Sequence, residues 1–177
     1  MSLRLKSLLV ACVVASYCFE SQAQNTKFEG IKLQTQIFEY ERDGNGEALS
    51  LRQEQAIKHC ADQDKRLPTI RELAEMAQKM GAVGISEIPM AGYQHVLARN
   101  LDGTVESFFY NGEGFAKDLS VDSLFRNAWI ASSSFDESYK GNKSMEGKTT
   151  LTLWYGTNGS IGGYNKANLF GVICFPN

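Results

Sequence analysis

The side chains able to do covalent or coordination chemistry are few in this chain and widely scattered. Beyond Cys12 and Cys18 near the start, the cysteines are Cys60 and Cys174, and His59 directly precedes the first of these. A Cys/His nucleophile needs a free thiolate within hydrogen-bond reach of an imidazole. Neighbours on a helix point about 100° apart, so a helical His59 would not face Cys60. Ser132-Ser133-Ser134 offers hydroxyls, but without a G-x-S-x-G elbow around them. Glu72 and Glu75 share a helix face, where exposed glutamates are ordinary. Neither histidine has zinc-ligand neighbours at a diagnostic spacing. Asp43, Asn45, Glu47 and Glu54 fit the ligand spacing of a calcium loop, but Ala48 stands where that loop needs its turn-making glycine. No catalytic residue, metal or cofactor is therefore expected.

Aromatic and basic residues late in the chain offer a better binding signal. Alternation in Leu151-Thr152-Leu153-Trp154-Tyr155 puts Leu151, Leu153 and Tyr155 on one face and Trp154 with Thr152 on the other. Trp154 is thus either packed beneath the glycine-rich segment that follows or exposed for stacking on a ligand. Tyr139 falls in a polar loop and Tyr164 in the glycine-rich segment, positions suited to an interface. Lys140, Lys143, Lys148 and Lys166 can give the same loops a basic patch. These seven residues form the candidate ligand-binding set.

The first 23 residues read as an export signal rather than as part of the fold. Arg4 and Lys6 precede the apolar run Leu8 to Ala15, and Ser21-Gln22-Ala23 supplies small residues for cleavage. The run is shorter than the roughly 20 residues needed to span a bilayer. Lipid attachment at Cys12 would leave almost no apolar segment ahead of it, and Cys18 follows bulky Tyr17. The expected product is residues 24–177, a single exported domain that is periplasmic or extracellular, with no membrane insertion. Two cysteines remain in it, and in an exported protein these most simply form one disulfide. In the chain-entropy model such a long loop gives about 4–5 kcal/mol.

Composition agrees with one globular domain. The chain has 177 residues, 43% hydrophobic and 21% charged, too apolar for disorder. With 18 basic and 20 acidic residues it lacks the positive field that nucleic acid or an acidic membrane would attract.

The elements follow from periodicity and punctuation. Ile31 to Tyr40 alternates as a first strand, and Asp43 to Glu47 is a loop. Ser50 and Gln53 have capping-box spacing, opening a helix to about Gln63 with Cys60 on its buried face. Thr69 and Glu72 open a second helix, striped by Ile70, Leu73, Ala74, Ala77 and Met80 and stopped by Gly81. His95 to Leu101 and Thr104 to Tyr110 flank Asp102-Gly103 as a hairpin with a two-residue turn. Ser120 to Asn127 reads as a helical turn, Ala128 to Ala131 as a strand, and Phe135 to Lys148 as a polar loop. Thr149 to Tyr155 and Phe170 to Phe175 read as strands joined by a glycine-rich excursion. Helices early and short strands late define an α+β domain.

Three segments together carry a family resemblance. RLPTIREL (Arg66–Leu73), AWIASSS (Ala128–Ser134) and GVICF (Gly171–Phe175) stand in an order and spacing that resembles the C-terminal domain family of the bacterial collagen-like adhesin Lcl. That family is similar in fold to C-type lectins and to the formylglycine-generating enzyme. The resemblance spans roughly Leu49 to Phe175 and implies a C-type-lectin-like domain. Two early helices would pack on short antiparallel strands, with a Cys60–Cys174 disulfide joining the first helix to the last strand. Arg66 and Thr69 then serve the helix opening. The Glu-Pro-Asn, Gln-Pro-Asp and Trp-Asn-Asp signatures of calcium-dependent sugar binding are missing, so that calcium site is not expected.

The function that follows is an exported, non-catalytic binding module. Its expected partner is a glycan, sulfated or otherwise acidic, or a cell-surface protein. A structural subunit of a surface assembly, with self-association, is the alternative. An enzyme of the formylglycine-generating type is a weaker one, because it would need its cysteines free.

Overall fold

The computed structural model describes residues 41–115, 128–139, 149–155 and 159–177. The export signal, the strand expected over 31–40, the helical turn over 120–127 and the side chains of Lys140, Lys143 and Lys148 lie outside the described residues. So does the side chain of Tyr139, whose backbone closes a short 3-10 helix (Glu137–Tyr139).

The architecture is α+β, with two helices and a predominance of strands. In chain order these are β1 (Ser50–Leu51), α1 (Gln53–Ala61), β2 (Lys65–Arg66), α2 (Ile70–Lys79), β3 (Gly84–Ser86), β4 (Gln94–Arg99) and β5 (Val105–Asn111). They continue with β6 (Ala128–Asp136), β7 (Thr149–Tyr155), β8 (Ile161–Asn165), β9 (Phe170–Gly171) and β10 (Phe175–Pro176). Eight strands form one sheet in which β6 is the hub. Along one edge it pairs antiparallel with β7, which pairs on with β8; along the other it meets β9 and β4. β2 and β10 form a separate two-stranded sheet, Phe175 opposite Arg66.

Each face of β6 has its own helix. Ile130 joins the core of α2, with Ile70, Leu73, Leu151, Leu153 and Phe108. Ala131, the next residue, points the other way, to the smaller core of α1 with Ala56, Cys60, Val172 and Cys174. Cys60 and Cys174 are joined by a disulfide across 114 residues, their Cα atoms 5.4 Å apart. Both cysteines are buried. Cys174 lies one residue before β10 rather than within a strand, because the segment expected as one strand is broken into β9 and β10 around Val172 to Cys174.

Helix α2 matches its sequence. Thr69 Oγ1 accepts from the Glu72 N–H at 3.2 Å, and Glu72 Oε2 accepts from the Thr69 N–H at 2.9 Å. At the other end, Ala82 N–H bonds the Ala77 carbonyl and Gly81 N–H the Gln78 carbonyl, with Gly81 at φ +102°. That is the Schellman stop, which favours glycine.

Helix α1 opens differently from expectation. Ser50 lies in β1 and the N-cap is Arg52. Gln55 Oε1 accepts from the Arg52 N–H at 3.2 Å, but arginine has no acceptor to return the bond. Pairing of Ser50 with Gly171 holds the chain extended past the site where Ser50 would cap.

Three further elements depart from the expected ones. The β4–β5 turn is longer than two residues: Asn100 pairs with Thr104, Gly103 N–H bonds the Asn100 carbonyl, and Gly103 takes φ +85°. This is the three-residue loop with a left-handed glycine. The glycine-rich excursion contains β8, in which Gly162 and Gly163 pair with Thr152 and Leu151. Finally, β6 runs through the serines to Asp136 instead of stopping at Ala131.

Candidate functional site

The serine run is a bulge and its hydroxyls are structural. Ala131 pairs with Thr152 and Phe135 with Thr150, so β6 carries extra residues between these two pairs. Ser132 Oγ donates to the Leu151 carbonyl, Ser133 Oγ to the Pro68 carbonyl, and Ser134 Oγ to Asn100 Oδ1. Ser134 Oγ also accepts from the Ile70 N–H at 3.0 Å, satisfying an orphan donor in the first turn of α2. Gln53, fully buried, donates to the Ser132 carbonyl at 2.8 Å. Small hydroxyl side chains are needed here because the bulge is buried and every added polar group must be satisfied.

Arg66 closes this corner. Its guanidinium grips Glu72 through two bonds of 2.6 and 2.5 Å, and it sits 6.0 Å from the centre of the Phe175 ring. Burial pushes the Glu72 carboxyl up, but Arg66 and the Thr69 N–H outweigh it and leave the group below the ordinary carboxylate range. Beside it a groove of about 520 Å³ runs between α2 and the β4–β5 turn, lined by Arg66, Arg71, Glu75, Asp102 and Glu106 among others. Its arginines are engaged: Arg71 pairs with Glu75 and Glu87 and lies 5.3 Å from the centre of the Phe108 ring.

The surface that best fits a ligand is aromatic. Trp129 on β6 stands opposite Trp154 on β7, ring centroids 5.0 Å apart and tilted by 45°. Tyr164 on β8 brings its ring to 4.5 Å from Trp129 and 6.3 Å from buried Phe170. Trp129, Trp154 and Tyr164 are all half-buried, so each keeps part of its ring in solvent. Gly162 lies beneath them: a Cβ there would meet Tyr164 Cε2 at 3.0 Å and Trp129 Cη2 at 3.1 Å. The strand pairing thus assembles a three-ring surface that local sequence does not display.

Of the candidate set, Trp154 and Tyr164 come together on this surface. Trp154 is half-buried against Trp129, between the two positions left open for it. Trp129 is the residue that sequence reasoning misses, because the signal that it pairs with Trp154 is a long-range register. Lys166, in the turn after β8, is half-buried and its Nζ bonds Glu54 Oε1 at 2.7 Å. That exposed pair holds the lysine weakly enough for a ligand anion to compete. The turn carrying Tyr139 is fixed by a two-bond Arg99–Glu137 pair at 2.7 and 2.6 Å.

The acidic loop before β1 uses its carboxylate on itself: Asp43 Oδ1 accepts from the N–H groups of Asn45 and Glu47 at 2.8 and 3.0 Å. Glu54, the last residue of the calcium-loop spacing, is on α1 and pairs with Lys166. His59 turns toward Glu41 and the Cys60–Cys174 disulfide. A ring nitrogen of His59, a Glu41 oxygen and Cys174 Sγ lie within 4.8 Å of one another. Burial raises the Glu41 carboxyl, but Gln63, His59 and Lys65 together hold it below its ordinary value.

No protein-family model matches the chain, and no significant match to it was found among curated proteins or solved structures. Among the described residues, no helix is long and apolar enough to cross a membrane.

Proposed function

We infer that this chain is an exported, non-catalytic binding module of the C-type-lectin-like class, which holds a glycan or a cell-surface protein. The observation that carries the reading is the half-exposed Trp129–Trp154–Tyr164 cluster over Gly162. Aromatic rings with one face in water stack on apolar sugar faces or anchor a protein contact at small entropic cost. Of the other residues singled out in the sequence, Tyr139, Lys140, Lys143, Lys148 and Lys166, the lysines favour a sulfated or acidic glycan.

The three segments that carry the resemblance to the Lcl C-terminal domain family meet in the fold. Pro68 accepts from Ser133 N–H at 2.8 Å, Phe175 pairs with Arg66, and Gly171 pairs with Ile130. Segments distant in sequence thus form one corner, braced by the disulfide. An enzyme of the formylglycine-generating type would need thiols, and here both sulfurs are bonded to each other.

Screening the chain against glycans and glycosaminoglycans, in calcium and in EDTA, tests the reading. Salt-sensitive binding that survives EDTA supports it. Binding lost in EDTA would place the site on a metal instead, and absence of any glycan or surface-protein binding would favour a structural subunit.

A further inference from the structure

The surroundings of the disulfide hold more chemistry than a covalent brace uses. Glu41, His59 and Cys174 each bring a donor atom within 4.8 Å of the others, and Cys60 is bonded to Cys174. These groups come from the segment before β1, from α1 and from the segment before β10, so the tertiary fold alone unites them. The cysteines are buried, and the side chains of His59 and Glu41 are only 31% and 17% exposed. Polar neighbours already orient the two outer groups. Lys65 Nζ bonds Glu41 Oε1 at 3.2 Å, and the Gln63 amide, 2.8 Å from His59 Nε2 and 3.1 Å from Glu41 Oε2, swings aside when a cation enters. An outer partner such as Lys65 on the carboxylate is what metal-ligating side chains ordinarily have.

We propose that reduction of the Cys60–Cys174 bond opens a four-ligand site for a divalent cation of the zinc class. The ligands are the thiolates of Cys60 and Cys174, a ring nitrogen of His59 and a carboxylate oxygen of Glu41. A dithiol reductant supplies the two electrons and two protons: the S–S bond breaks, two thiols form and the reductant closes to its own disulfide. The cation then binds both sulfurs and releases the two thiol protons to solvent. Tetrahedral zinc bonds of about 2.0–2.3 Å set donor separations of roughly 3.3–3.8 Å, so on loading the two sulfurs part while His59 and Glu41 close in from within 4.8 Å. Two thiolates and a carboxylate exceed the charge of the cation by one, and the Lys65 ammonium offsets the excess. In the oxidised chain neither sulfur is a thiolate and the site is closed. The proposal is independent of the aromatic surface.

The test uses the chain carrying Cys12→Ser and Cys18→Ser, so that Cys60 and Cys174 are its only thiols. It is reduced with a phosphine and titrated with Zn²⁺ against a chromophoric chelator, and with Co²⁺ for its thiolate charge-transfer band. The expected result is one cation per chain, bound only after reduction, and a higher melting temperature of the reduced chain in zinc. His59→Ala and Glu41→Gln should each weaken binding at least about 10-fold, since even outer partners of a ligand are worth roughly 10–100-fold. Absence of stoichiometric binding by the reduced chain would overturn the proposal. So would zinc affinity unchanged by His59→Ala and Glu41→Gln, since an unfolded chain could bind through its two thiols alone.

Discussion

Trp129 and Trp154 face each other across the β6–β7 ladder with their ring centroids 5.0 Å apart. The pair makes the surface aromatic, and its position depends on the bulge that follows. Beyond Ala131, β6 takes up extra residues and sends Ser132 to Ser134 into the corner beneath α1 and α2. One strand therefore presents rings at one end and buries hydroxyls at the other.

The rings need the open backbone of Gly162. Gly162→Val would force Trp129 and Tyr164 outward, since even a Cβ would lie 3.0–3.2 Å from their ring atoms. The expected cost is about 1–3 kcal/mol, as for overpacking elsewhere. Near-UV circular dichroism should change with the far-UV spectrum intact. An unchanged near-UV spectrum would mean that the rings do not rest on this residue.

The Arg66–Glu72 pair should give stability a pH dependence. The folded Glu72 carboxyl titrates below its ordinary value of 4.5, so its contribution is present above that pH. It is lost as pH falls through the lower folded value. Glu72→Gln should cost about 1–2 kcal/mol at neutral pH, discounted because Arg66 is partly exposed. Denaturation from pH 6 downward should show a shallower loss in the variant than in the parent.

How far the sequence could be read depended on how local each signal is. Helix α2 was legible at both ends because its capping box and its glycine stop lie within a few residues of it. The bounds of β7 matched because its apolar alternation is unbroken. β8 was not legible, since Gly162 and Gly163 lower strand propensity and only pairing with β7 justifies them. The strand was expected to stop at Ala131, before the serine run, because polar residues rarely fill a core. The run's partners, Pro68, Ile70 and Asn100, are more than thirty residues away. Trp154 and Tyr164 stood out singly, but Trp129 joined them only through register.

Tyr110 offers a substitution with an unusual sign. Its hydroxyl is buried and has no hydrogen-bond partner among the described residues, and burial pushes the phenol well above its ordinary pKa. Tyr110→Phe removes the unpaired group and keeps the ring. Melting temperature should stay the same or rise. A clear fall would show that the hydroxyl has a partner, such as an ordered water.

The disulfide ties the start of the domain to its end and should dominate stability. Replacing Cys60 and Cys174 together by serine should cost about 2–5 kcal/mol in denaturant unfolding. A loss below 1 kcal/mol would mean that the two cores hold the helix α1 corner without it.

The most direct test of the binding surface compares the parent chain with Trp129→Ala, Trp154→Ala and Tyr164→Ala on the strongest ligand from the glycan and surface-protein screen. Removing an anchor ring should weaken affinity about 30-fold, the size expected of a hot spot, while unfolding shows each variant still folded. Folded variants that bind as tightly as the parent would contradict the account and move the site away from the β6–β7–β8 face.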